Sequence, residues 1–236
     1  MKLYFSPLAC TLASRIAVYE AGADVTFVEV DGKTKRTDTG LDYRAIHPLG
    51  MVPALELSDG DILSENAAVL QHLARLFPQA RLAPSEPRAL AKLQQYLCFI
   101  GTELHKALYL PLLDKHAPAE VKQYALRKMT SRLEWVEAAL TGRDYLLDEF
   151  SVADGYLFAV LNWSMVAPVD LKPYAAIGAF QARMKQRPAV ARAFNEELEL
   201  YRKELEREAA SGREQAGDRP DAVGKVGRGH AGGLQQ

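Results

Sequence analysis

The stretch Val52-Pro53-Ala54-Leu55-Glu56-Leu57-Ser58-Asp59-Gly60-Asp61-Ile62-Leu63-Ser64-Glu65 decides the fold. Two apolar runs flank Ser58-Asp59-Gly60-Asp61, a turn sequence that joins them as two strands of a tight hairpin. Pro53 opens the first run. A proline cannot donate to a sheet ladder, so it belongs at a strand start or in a cis turn. Downstream, a helix is predicted from Glu65 to Phe77. Upstream, Leu3-Tyr4-Phe5 is a short apolar strand ended by Ser6-Pro7, and Thr11 to Ala21 turns helical before Gly22 stops it. Val25 to Val30 has the β-branched and aromatic content of a buried strand, and Asp42 to Ile46 reads as a short helix closed by Pro48 and Gly50. The order is βαβαββα, an α/β domain over residues 1 to 80.

Residues 79 to 87 contain prolines and little apolar periodicity, which marks a linker. Beyond it the chain reads as all-helical from 88 to 208. Leu90, Leu93, Leu97, Ile100 and Leu104 step by three and four, as do Leu126, Met129, Leu133, Val136 and Leu140, so two long amphipathic helices pair in a bundle. Ser151-Val152-Ala153-Asp154 has the spacing of a capping box at the start of an apolar helix, which gives Asp154 a structural role. Pro173 and Pro188 open the next helices, and Glu196 to Glu208 reads as a charged, exposed ribbon. Residues 209 to 236 are glycine-rich and nearly without apolar side chains, and are expected to form a disordered tail.

Composition narrows the function. The 236 residues carry 29 basic and 30 acidic side chains, so no charge footprint points to nucleic acid. No apolar stretch is long enough for a membrane span or a signal peptide, and the chain is read as cytoplasmic. Two cysteines in a chain this long make no disulfide framework, so Cys10 and Cys98 are judged separately.

Cys10 stands where the first strand hands over to the first helix, where helix amides are expected to favour a thiolate. The other reading is a small buried cysteine filling a gap. Ala13 excludes a dithiol motif, so any redox role of Cys10 is monothiol. If the Val52-Pro53 bond is cis, the backbone of Val52 is free to pair with an extended peptide. Glu65 and Asn66 open a helix whose first amides suit a carboxylate, while the Glu65 side chain suits an ammonium group. An α-amino acid end fits that pair, although an ordinary helix start has the same look. Lys35, near Lys33 and Arg36, can meet a second carboxylate or belong to a solvated basic loop. His105 lies two helical turns from Cys98, too far for the two to share a metal, and no zinc site is implied.

Taken together, Lys2 to Pro7 with Cys10, Gly50-Met51-Val52-Pro53-Ala54-Leu55, Ser64-Glu65, Glu103-Leu104-His105-Lys106 and Phe150-Ser151-Val152-Ala153-Asp154 resemble the bacterial beta class of the glutathione S-transferase family. The resemblance covers about residues 1 to 205. It implies a thioredoxin-like glutathione-binding domain before an all-helical substrate domain, a homodimer, and glutathione as co-substrate with a hydrophobic electrophile. By the same resemblance, Val52 with Pro53 holds the cysteinyl backbone of glutathione, Glu65 and Asn66 its γ-glutamyl end, and Lys35 its glycyl carboxylate. Cys10 and His105 then flank the sulfur, with Lys106 beside them. Asn66 stands where the family usually has serine or glycine, and Cys98 where relatives tend to carry asparagine. Phe5 removes a hydroxyl from a position where related sequences often have tyrosine, which favours Cys10 over a tyrosine-based mechanism. Two alternatives stay open: a dedicated glutathione-dependent disulfide reductase, and a non-catalytic regulator on the same fold resembling the stringent starvation proteins.

Overall fold

The computed structural model describes the backbone of residues 1 to 217 and the side chains of residues 1 to 207. Its sheet has four strands, β1 (Lys2–Phe5), β2 (Thr26–Glu29), β3 (Ala54–Glu56) and β4 (Ile62–Ser64), in the order β2-β1-β3-β4. β1 pairs parallel with β2 and antiparallel with β3, and β3 pairs antiparallel with β4 across the expected hairpin. The parallel pair needs a crossover, which α1 (Leu12–Glu20) supplies, and α2 (Asn66–Leu76) follows β4. The helix expected over 42 to 46 is only a single 3-10 turn, Tyr43–Ala45. The Asp42 side chain accepts from the Arg44 amide there, and His47-Pro48 ends the turn before an α-helical ladder can start. Its buried Tyr43 lies tilted against Tyr4, 5.5 Å between centroids, and donates to the Met51 carbonyl. That bond fixes the backbone just ahead of Val52.

The second half is helical throughout: α3 (Pro87–Phe99), a π-helical segment Ile100–Tyr109, α4 (Leu110–Leu113), α5 (Ala119–Leu140), α6 (Val152–Leu161), α7 (Ala175–Gln186) and α8 (Pro188–Gly217). The expected bundle helix through Leu90 to Leu104 is therefore α-helical only to Phe99 and then widens. The apolar spacing alone could not tell an i→i+4 ladder from an i→i+5 one. Residues 209 to 217, expected to begin a tail, continue α8, in keeping with their alanine, glutamate, arginine and glutamine content. The remainder of the expected tail lies outside the described residues.

Every residue of α6 is buried, which matches a helix that is apolar on all sides. It packs against α1, α2 and α3, so the sheet half and the helical half share one core through Tyr201. Asp154, fully buried, accepts from the Ser151 amide and hydroxyl, each at 2.9 Å, and from the Leu146 amide at 2.8 Å. The capping box read from sequence is present.

Candidate active site

A cavity of about 260 Å³ opens between the two halves. The sheet half contributes Cys10, Val52, Pro53, Glu65 and Asn66; the helical half contributes Cys98, Gly101, His105, Lys106 and Tyr156. Seven of the eight residues singled out from sequence thus meet at one place. Lys35 is the exception. Its backbone takes φ +57°, and its aliphatic stem crosses Gly50 so closely that a Cβ there would stand 3.3 Å from Lys35 Cδ. Gly50, itself at φ +60°, gives the lysine room to pass.

Cys10 occupies the turn before α1 and is 6% exposed. Its thiol donates to the Val52 carbonyl over 3.6 Å. Burial pushes this thiol up to about 12, against the pull of the Lys106 charge, so the expected helix-stabilised thiolate gives way to a neutral thiol. The helix start offers too little to offset loss of water around the sulfur. The loop carrying Cys10 is clamped at Leu8, whose backbone sits at φ +55°. Its amide donates to the buried Glu197 carboxylate at 2.8 Å, and its carbonyl accepts from the Trp163 indole at 2.9 Å. Glu197 in turn faces Arg15 at 3.0 Å, and the Arg15 guanidinium lies over the Phe5 and Phe27 rings.

Val52-Pro53 is cis, and Glu65, at the start of α2, is exposed with φ +67°. A non-glycine residue held in that region by its surroundings is a recurrent mark of ligand-binding backbone. Asn66 is buried. Its side chain accepts from Ser14 Oγ at 2.8 Å and donates to the Cys10 carbonyl at 3.1 Å, tying α2 to α1 and to the cysteine loop. On the helical wall, His105 Nδ1 lies 2.9 Å from the Tyr156 hydroxyl, and its ring meets Trp163 edge to face at 4.8 Å. Burial, with Lys106 beside it, lowers His105 to about 4, so it is neutral at physiological pH. Leu97, Cys98, Gly101, Thr102, His105 and Lys106 all face the cavity. In a π-helix each turn holds more residues than an α-turn, so residues four apart keep facing the same way.

Tyr156 and Trp163 were not among the sequence candidates. Tyr156 lies inside an apolar run that reads as core. Among the described residues no group of three or more His, Cys, Asp and Glu side chains is placed to hold a metal, and no helix is long and apolar enough to cross a membrane.

A small sheet joined to a helical bundle, with a cis-proline loop and a strained helix start facing a common cavity, defines a class, and comparison with known proteins names it. Residues 9–76 match the family model "Glutathione S-transferase, N-terminal domain" and residues 88–188 match "Glutathione S-transferase, C-terminal domain". The chain belongs to the glutathione S-transferase family. It is 40% identical over 199 residues to glutathione S-transferase GstA of Escherichia coli O157:H7, covering 84% of this chain and 98% of that protein. Among solved structures it is similar to a sphingomonad glutathione S-transferase complexed with glutathione, at 40% identity and TM-score 0.79, covering 84% of this chain and 98% of that one. The bacterial beta class enzyme of Sphingomonas chungbukensis matches at 38% identity and TM-score 0.79, with the same coverage. The resemblance read from the motifs is thereby supported along 84% of the chain.

Proposed function

We propose that this chain conjugates the thiolate of glutathione to hydrophobic electrophiles. The observation that carries the reading is the convergence of Cys10, Val52, Pro53, Glu65, Asn66, His105 and Lys106, from both halves of the chain, on one cavity. In this reading the Val52 backbone amide pairs with the cysteinyl unit of glutathione, since the Val52 carbonyl already accepts from Cys10. Glu65 takes the ammonium group of the γ-glutamyl end and the first amides of α2 its carboxylate. Lys35, close to Met51 and Val52 through Gly50, takes the glycyl carboxylate. Lys106 adds positive potential near the sulfur, and His105, neutral, serves as hydrogen-bonding partner rather than as a fixed charge. Two free thiols agree with a reducing compartment, and we place the chain in the cytoplasm.

Thiol-disulfide exchange through Cys10 is the second reading, favoured by the position of its sulfur at the cavity wall. Attack of the Cys10 thiolate on oxidised glutathione gives the mixed disulfide and releases one glutathione thiolate. A homodimer belongs to the same proposal: a broad cleft lined by α2 and α3, with Leu76 46% exposed, leaves apolar surface for a second copy. Retention on immobilised glutathione, elution by free glutathione and turnover of an aromatic halide electrophile test the main reading. A chain that binds no glutathione would leave the non-catalytic regulator as the better account. Light scattering that gives a monomer at micromolar concentration would remove the dimer.

A further inference from the structure

Strand β1 offers the cavity no phenol. Phe5 has none, and the Tyr4 hydroxyl is turned away to Glu56 at 2.8 Å. A hydroxyl nevertheless reaches the cavity from the other half. Tyr156, on α6, is 3% exposed and lines the cavity together with Cys10, Asn66 and His105.

Its hydrogen bonds can be counted. A phenol has one proton and two acceptor lone pairs. Its partner is His105 Nδ1, 2.9 Å away. A neutral imidazole carries one ring proton, and with that proton on Nδ1 the Tyr156 oxygen is the acceptor of this bond. The phenol proton is then left over, beside a cavity that Tyr156 itself lines.

We propose that Tyr156 is a catalytic residue of this site: its O–H, held by His105 Nδ1–H, donates to the glutathione sulfur and stabilises the thiolate. The inference rests on the glutathione reading above. Tyr156 keeps its proton throughout. The proton of bound glutathione leaves to solvent, the thiolate forms the new S–C bond, and the leaving group departs from the electrophile with its electron pair. The hydroxyl absent from Phe5 is in this way supplied from α6.

The experiment compares wild type with Tyr156→Phe. The ultraviolet absorbance of the bound thiolate, followed against pH, gives the midpoint of glutathione ionisation. Loss of one hydrogen bond to a charged sulfur should raise that midpoint by about one unit or more and lower turnover of 1-chloro-2,4-dinitrobenzene below it by roughly tenfold. Glutathione affinity, carried by the peptide contacts, should change by less than about threefold in the same assay. An unchanged midpoint in a folded variant overturns the proposal. Nitrogen NMR of the His105 ring in wild type tests it without any substitution. An Nδ1–H tautomer at neutral pH is expected, and an Nε2–H tautomer overturns the hydrogen-bond order. Wild type that neither binds nor conjugates glutathione sinks the functional reading itself, whereas normal wild-type activity with an unmoved midpoint sinks only the role of Tyr156.

Discussion

The two walls of the cavity are built by different means. The sheet-side wall presents main chain: the cis Val52-Pro53 bond, Glu65 at positive φ, and the first turn of α2. The helical wall presents side chains, Cys98, His105, Lys106 and Tyr156, from a π-helical segment and its neighbours. Main-chain groups are held by the fold and are costly to change, which suits a ligand that never varies. Side chains on a helix can be exchanged without disturbing the sheet, which suits chemistry that does. Each wall also carries one cysteine, and these differ in kind: Cys10 is buried and Cys98 exposed.

The largest effect expected from this contrast is in thiol reactivity. A thiol raised to about 12 is thiolate in roughly one part in 10⁵ at pH 7. In the free protein an alkylating reagent should therefore modify Cys98 on the order of a hundredfold or more faster than Cys10. Peptide mass spectra at timed intervals give both rates, and equal rates would erase the distinction between the walls. Stability should divide them next. Asp154→Ala strips three hydrogen bonds from the buried start of the helix that carries Tyr156, and should cost about 3 kcal/mol or more. Asp42→Ala removes one exposed cap from the 3-10 turn on the sheet side and should cost about 1 kcal/mol or less. Urea unfolding of both variants tests the ordering, and similar losses would contradict it.

The same contrast explains what was legible in the sequence. The hairpin, the cis-proline site and the helix start at Glu65 are local devices, each signalled by its own turn residues. So was the capping box of Ser151 and Asp154. Three features were not legible, because each depends on contacts between residues far apart in the chain. The state of Cys10 is set by burial under elements from both halves rather than by the helix start next to it. The widening after Phe99 leaves the leucine spacing nearly unchanged. Tyr156 shares its apolar run with Tyr-neighbouring core residues such as Leu157 and Phe158, and only the packing of α6 against the helix of His105 separates a cavity hydroxyl from a core ring.

Glu65 offers a way to sharpen the comparison on the sheet side, since strain and binding should part there. Glycine accepts φ +67° without a Cβ penalty, so Glu65→Gly should stabilise the free chain by about 1 kcal/mol. It should also weaken glutathione binding by roughly tenfold or more, having lost the partner of the ammonium group. Calorimetry gives both quantities from one sample. A variant that binds as before would show that the carboxylate is dispensable and that the main chain alone forms this wall.

A pH-dependent effect is expected in acid, on the helical wall. An exposed histidine takes up its proton near pH 6.5, but His105 in the folded chain does so only near 4, because burial and Lys106 both oppose the charge. Between those two values the unfolded chain binds a proton that the folded chain refuses, so stability rises with pH across the window and is lost as pH falls through it. The loss is complete near pH 4. The full linkage would be about 3 kcal/mol, and partial exposure of the ring reduces it to about 1 to 2 kcal/mol. His105→Asn removes the titrating group, so the difference in unfolding free energy between wild type and variant should shrink by that amount from pH 7 to pH 4.5. Carboxylates elsewhere titrate in both proteins and cancel in the comparison. A difference that stays constant over this range would mean that His105 is solvated and protonates normally, and the neutral imidazole assigned to the helical wall would have to be abandoned.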